Sequence, residues 1–80
     1  MKLNVKAFGL ACGIIWGAIV LLFGLGAMMG WGEDIVKFIS RFYVGYQASF
    51  FGAVIGLVWG FVDAFVGGAI FAWLYNKLAK

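Results

Sequence analysis

Two long apolar runs, separated by a short segment of mixed polarity, make up most of the chain. Residues 7–30 contain no charged side chain, and residues 48–75 contain one, Asp63. An α-helix rises about 1.5 Å per residue and the hydrocarbon core of a bilayer is about 30 Å thick, so roughly 20 apolar residues cross it. Both runs exceed that length. The pattern therefore predicts an all-α membrane protein, with two transmembrane helices forming a single hairpin domain.

The connector, residues 31–47, mixes apolar and charged positions at helical spacing. Its apolar residues share one helical face: Ile35, Phe38, Ile39, Phe42 and Tyr46. Its charged residues Asp34, Lys37 and Arg41 lie on the opposite side. This pattern predicts a short amphipathic helix, near residues 33–46, lying in the membrane interface. A helix that binds a partner protein is the alternative interpretation.

Small residues recur on one face of each predicted span. In the first span they are Gly9, Gly13, Gly17 and Gly24, and in the second they are Gly52, Gly56, Gly60 and Gly67. Small residues let membrane helices approach closely, so these stripes predict glycine-zipper faces. The two faces either pack on each other within the hairpin or contact neighbouring subunits, and the spacing is compatible with both.

The composition excludes several classes of protein. The chain has 80 residues, of which 66% are hydrophobic and 11% charged, and a soluble domain of this size could not bury so much apolar surface. Its net charge of +3 is spread along the chain, so a nucleic-acid partner is not expected. With one cysteine, Cys12, and no histidine, no disulfide or ordinary zinc site is expected within one chain. No nucleophile–base pair or phosphate-binding loop is present, so we expect neither an enzyme nor a bound cofactor.

Aromatic and basic residues suggest how the hairpin sits in a membrane. Interface anchors are predicted at Trp31, Tyr43 and Tyr46 on one side and at Trp73 and Tyr75 on the other. Four lysines lie near the termini, whereas the connector has one lysine and one arginine. Because the cytoplasmic side of a membrane protein carries the excess of Lys and Arg, this count predicts a protein of the cytoplasmic membrane with both termini in the cytoplasm. A dual or reversed topology remains open. The first apolar run is longer than the core of a cleaved signal peptide, so a retained span is the preferred interpretation.

Asp63 is the candidate functional residue because it lies well inside a predicted span. A carboxylate at the centre of a membrane helix costs about 2.5 to 3.5 kcal/mol on insertion scales, so it needs a compensating role. Three roles are open: a structural hydrogen bond to a facing helix or subunit, a group lining an aqueous lesion, or a proton carrier.

The segment GLVWGFVDAFVGGAIFAWLYNKL at residues 56–78, with the opening MKLNVKAFGLACGIIWG, resembles small two-span membrane proteins labelled bacteriophage holin. The resemblance covers both spans, and the WGF-x-D and GGAIFAWLYN portions carry most of it. It implies a protein that forms homo-oligomers in the lipid bilayer and opens a membrane lesion.

Two further hypotheses belong to other functional classes. A hairpin with a glycine-rich first span and an acid midway through the second, LVWGFVDAF here, is similar to the ring subunit of rotary ATP synthases. That similarity implies that the residue at Asp63 carries protons. Alternatively, two glycine-rich faces in so short a chain would suit a structural accessory subunit of a larger membrane complex.

Overall fold

The computed structural model describes residues 2–79 and is all-helical. Its helices are α1, Val5–Ala27; α2, Glu33–Ser40; and α3, Phe50–Leu78. Helices α1 and α3 pack antiparallel as a hairpin, and both are long and apolar enough to cross a membrane. Helix α2 lies in the connector between them. The described part of the chain thus has the predicted order of elements.

Local signals explain where the long helices begin and end. The side-chain oxygen of Asn4 accepts a hydrogen bond from the Ala7 N–H at 3.0 Å, and the Ser49 hydroxyl accepts one from the Gly52 N–H at 2.9 Å. Both are N-caps, which satisfy backbone donors that a helix leaves free at its start. Helix α1 ends before Gly30, whose φ of +90° belongs to the left-handed region that favours glycine. The spans consequently start and stop two or three residues from the predicted limits.

The connector departs most from the prediction. Its helix ends at Ser40 instead of continuing to residue 46, because the chain turns and then passes through Gly45 with φ of +92°. Val36 is the buried residue of α2, and Ile39 of the predicted apolar face packs against the same cluster. Ile35 and Phe38, also on the predicted apolar face, are exposed. Tyr46 lies beyond the helix and therefore does not share that face.

Helices α1 and α3 meet along a line of glycines on α1, called here the helix seam. Its contacts are Gly17 with Leu57, Gly13 with Phe61, and Gly9 with Phe65. Each step of four residues toward the start of α1 is matched by a step of four toward the end of α3, as an antiparallel pair requires. A Cβ added at Gly13 would lie 2.8 Å from the Phe61 carbonyl oxygen, so the backbones approach closely there. Close backbone approach is what small residues allow in membrane helices.

The glycines of α3 serve different neighbours. Gly60 and Gly68 face α1, where a Cβ added at Gly60 would lie 3.4 Å from the Gly17 Cα. Gly52 makes room for the connector, because a Cβ there would meet Gln47. Gly56 makes room for both the connector and α1, because a Cβ there would overlap the Tyr46 ring and lie 2.9 Å from Cγ1 of Val20.

Gly67 differs from the other glycines in the predicted packing set. A Cβ added there would have no atom within 4 Å, so within the hairpin Gly67 does not have the packing role that its spacing predicts. Its neighbour Gly68 has that role, because it lies against Cys12 and Gly9. At about 100° per residue Gly67 projects between Gly56 and Gly60, so helical spacing alone does not distinguish it from the packed glycines.

The second half of the connector forms a wedge between the two long helices, defined by Tyr43 and Tyr46. The Tyr46 hydroxyl donates to the Val20 carbonyl oxygen at 2.6 Å, and its ring fills the space beside Gly56 and Gly24. Both tyrosines belong to the hydrophobic core, together with Val20, Ala27 and Val36.

The connector wedge reaches the middle of the hairpin. Tyr43 contacts Trp16 of α1. Because an α-helix rises about 1.5 Å per residue, Trp16 lies about 16 Å from the C-terminal end of α1 at Ala27. Asp63, the other partner of Tyr43, lies about 20 Å from the start of α3. The connector therefore folds back alongside the hairpin and does not lie across its end.

Candidate functional site

Asp63 lies at the end of a chain of hydrogen bonds that joins α1, the connector wedge and α3. The Trp16 indole N–H donates to the Tyr43 hydroxyl oxygen at 2.9 Å. The Tyr43 hydroxyl donates to Oδ2 of Asp63 at 2.7 Å. Three side chains that are distant in sequence thus form one polar group at the middle of the hairpin.

The direction of these hydrogen bonds follows from the chemistry of the groups. An indole N–H can only donate, so the Tyr43 oxygen must be the acceptor of the first bond. The single phenolic proton is then directed to Asp63, whose carboxylate is an acceptor. The Tyr43 hydroxyl therefore accepts from α1 and donates to α3, which links the two long helices through the connector.

Aromatic stacking holds Tyr43 in this position. Its ring stacks on that of Trp59, with the ring centroids 5.9 Å apart and the planes 7° from parallel. The Trp59 indole N–H donates to the carbonyl oxygen of Val44 at 2.9 Å. Since Val44 follows Tyr43 in the chain, this bond fastens the connector wedge to α3 on the same side as Asp63.

Two grooves meet at Asp63. The larger, called here the aromatic groove, has a volume of about 790 Å³. It is lined by side chains from all three helices and the connector wedge: Trp16, Ile35, Phe38, Ile39, Phe42, Tyr43, Trp59, Val62, Asp63 and Val66. Within the described chain, Asp63 is the one charged residue in this lining.

The second groove, called here the small-residue groove, has a volume of about 470 Å³. Its lining is Phe8, Cys12, Trp16, Asp63, Ala64, Gly67, Gly68 and Phe71. Asp63 is exposed on the surface of the single chain, and Gly67 beside it is open. Asp63 therefore borders the predicted small-residue face. Most glycines of that face are buried within the chain, whereas Asp63 and Gly67 are exposed.

The predicted interface anchors divide into two groups. Trp31, Trp73 and Tyr75 are exposed near the ends of the hairpin, where anchors are expected. Tyr43 and Tyr46 are only 7% and 2% exposed, so in this structure they lie between the helices and not on the outer aromatic belt that the sequence predicts. The physical reason is that the connector folds inward and each hydroxyl finds a hydrogen-bond partner between the helices.

Sequence reasoning did not identify Trp16 and Tyr43 as partners of Asp63. A signal was present, since tyrosine hydroxyls and tryptophan N–H groups usually find a partner when they are buried. Trp16 and Asp63 are, moreover, both near the centres of their spans. Nothing in the connector's periodicity, however, distinguishes a tyrosine that anchors at an interface from one that inserts between helices.

The chemistry available at this site is that of one carboxylate in apolar surroundings. Residues 2–79 contain no cluster of three histidine, cysteine or acidic side chains that could hold a metal ion. A carboxylate beside aromatic rings can bind a proton, accept a hydrogen bond from a neighbouring subunit or pair with an organic cation.

Comparisons with known proteins identify no relative. No family model matches the chain, and no curated protein and no solved structure is significantly similar to it. The functional argument therefore depends on the site itself.

Proposed function

We propose that this chain is a small membrane protein that assembles with further copies of itself and opens a polar path through the bilayer, as its holin-like sequence implies. The observation that carries the proposal is the exposed carboxylate of Asp63 at the middle of an apolar helix. In contact with hydrocarbon such a group costs about 2.5 to 3.5 kcal/mol, and a neighbouring subunit or water against it would offset that cost.

The assembly surface is the side of the hairpin that carries Asp63 and Gly67. The glycines of the helix seam are occupied by contacts within the chain, which leaves them no surface to offer a second copy. Gly67 is open and lies in the small-residue groove beside Asp63, where another helix could approach the backbone closely.

A second observation favours water in the assembly. Arg41 is exposed and lies two residues before Tyr43, which contacts side chains at the middle of both spans. A guanidinium near that depth must extend to the interface, pair with an acid or face water. An aqueous lesion lined by Asp63 and Arg41 would satisfy both charges.

The protein is proposed to reside in the cytoplasmic membrane with both termini in the cytoplasm. The lysines at the two termini support this orientation through the excess of basic residues on that side. The charged residues of α2 then lie toward the opposite interface.

Two other functions have specific support. A structural subunit of a larger complex is favoured by the many large apolar side chains exposed on the hairpin, including Phe51 and Val58, which a partner could cover as well as lipid. A proton carrier is favoured by the Tyr43 hydroxyl, which leaves Oδ1 of Asp63 available to bind a proton.

The test compares Asp63→Asn with Asp63→Leu in reconstituted vesicles. Asn keeps hydrogen-bonding groups but cannot ionise, whereas Leu loses both properties. We expect Asn to retain self-association and part of the leakage of a small dye, and Leu to weaken both. Self-association is measured by chemical crosslinking and by native mass spectrometry. A proton carrier would instead assemble normally with Asn but lose proton flux, and a structural subunit would leak no dye.

A matched pair of variants tests the assembly surface. Gly67→Leu fills the open side beside Asp63 and should reduce self-association while leaving the hairpin folded, because nothing lies within 4 Å of the added carbon. Val58→Leu, on an exposed position outside both grooves, should change neither property. Parent-like assembly of both Gly67→Leu and Asp63→Leu would show that this surface is wrong.

A further inference from the structure

The aromatic groove has the dimensions and lining of a small-molecule site. Its volume of about 790 Å³ lies within the range of roughly 300 to 1,000 Å³ that is usual for ligand pockets. Such pockets are mostly apolar, with a few polar groups that orient the ligand. Here those polar groups are the Asp63 carboxylate and the hydroxyl of Tyr43.

The hydrogen-bond chain engages one of the two carboxyl oxygens of Asp63, a residue that lines the groove. The Trp16 N–H and the Tyr43 proton are used within the chain, and they engage Oδ2 of Asp63. Oδ1 of the same carboxylate is then the atom available to a ligand. A ligand that satisfies it must carry a positive charge or a strong donor, so the groove favours cations and disfavours anions.

The lining further restricts the class of cation. An inorganic ion such as Ca²⁺ takes six to eight oxygen ligands, which one carboxylate and one phenol do not provide. Aromatic rings do stabilise organic cations, by cation–π attraction at their faces and by covering apolar substituents. The exposed rings of Phe38, Phe42 and Trp59 are placed to do both.

We propose that the aromatic groove binds a lipophilic organic cation, with the Asp63 carboxylate as its counter-ion and the aromatic side chains as its walls. The ligand class is a quaternary ammonium, or a phosphonium of similar shape, that bears aromatic or alkyl groups. All the lining residues belong to one chain, so the site does not depend on self-association or lesion formation.

Tetraphenylphosphonium and tetraphenylborate provide a matched pair of probes, because they are similar in shape and opposite in charge. Binding is measured by calorimetry on the full chain in nanodiscs of phosphatidylcholine, with empty nanodiscs as the blank. We expect saturable binding of the phosphonium at one per chain and no saturable binding of the borate. Equal binding of both probes would mean simple partition into apolar surface and would overturn the proposal.

Three variants test the assigned residues. Asp63→Asn should lower the affinity for the phosphonium by roughly tenfold or more, since it removes the opposing charge. Phe38→Ala should lower it about threefold through the lost aromatic wall. Val58→Leu, outside the groove, should bind like the parent.

Because Asp63 also holds the connector wedge, Phe38 supplies a variant that does not disturb the hydrogen-bond chain. Its side chain is 59% exposed, so its truncation should leave the hairpin folded, as circular dichroism would report. Parent-like affinity for the phosphonium in folded Asp63→Asn, or in folded Phe38→Ala, would overturn the site.

Discussion

The helix seam and the connector wedge hold the same two helices by different means. Along the seam, small residues bring the backbones of α1 and α3 close together, as at Gly13 and the Phe61 carbonyl. In the wedge, Tyr43 and Tyr46 fill a wider space and bond to groups on both helices. The seam depends on the absence of side chains, whereas the wedge depends on large ones with a polar end.

This difference explains why the candidate site lies where it does. A carboxylate cannot be accommodated in the seam, where there is no room for a partner. At the wedge the helices are separated enough for a phenol and an indole to reach Asp63, and enough for two grooves to open beside it. The hydrogen bonds that reach Asp63 thus lie in the region that the connector enters.

The largest effect is expected from breaking the seam with Gly13→Leu. The added side chain collides with the Phe61 backbone and ring, and overpacking of this kind costs about 3 kcal/mol. Unfolding in mixed micelles with increasing SDS, followed by tryptophan fluorescence, measures the change in free energy. Val58→Leu is the control, because its side chain is 59% exposed and should leave stability unchanged. Equal stability of the two variants would contradict the seam.

A smaller effect is expected from Tyr43→Phe, which keeps the ring of the wedge but removes its hydroxyl. Two hydrogen bonds are lost, and side-chain hydrogen bonds in membrane proteins average about 0.6 kcal/mol each, so we expect a loss of about 1 kcal/mol. The same SDS titration measures it. The stack on Trp59 should persist, since it needs only the ring. If Tyr43→Ala lowers the free energy of unfolding by no more than Tyr43→Phe does, the Tyr43 ring does not stabilise the hairpin. That result would contradict the description of the connector wedge.

The smallest effect is expected at the end of the hairpin opposite the connector, from Asn76→Ala. The Asn76 side chain accepts from the Leu3 N–H and donates to the Leu3 carbonyl, both at 2.7 Å. These bonds resemble those of the wedge but lie at a chain end, where local opening is easy, so their loss should cost about 0.5 kcal/mol. Amide hydrogen exchange should rise at residues 3–8 and remain unchanged at the wedge. A loss as large as that of Tyr43→Phe would show that position in the hairpin has no influence.

Several parts of the fold could be predicted because they depend on neighbouring residues. The two apolar runs became α1 and α3, and Asn4 and Ser49 act as caps through residues only three positions away. The spacing of Gly9, Gly13 and Gly17 predicted one shared face but left open whether it meets α3 or a neighbouring subunit, and in the structure these glycines lie against α3. The prominence of Asp63 was equally visible, as the one acid within an apolar run.

The partners of Asp63 were decided only by the tertiary structure. Tyr43 lies 20 residues from Asp63 and 27 from Trp16, and no local pattern relates these positions. They meet because the connector helix stops at Ser40 and the chain then passes through Gly45, which directs both tyrosines into the hairpin. Periodicity can show which residues share a face of one helix. Periodicity cannot show how far the connector folds back between α1 and α3. That depth depends on hydrogen bonds and packing that form only when α1, the connector and α3 are in contact.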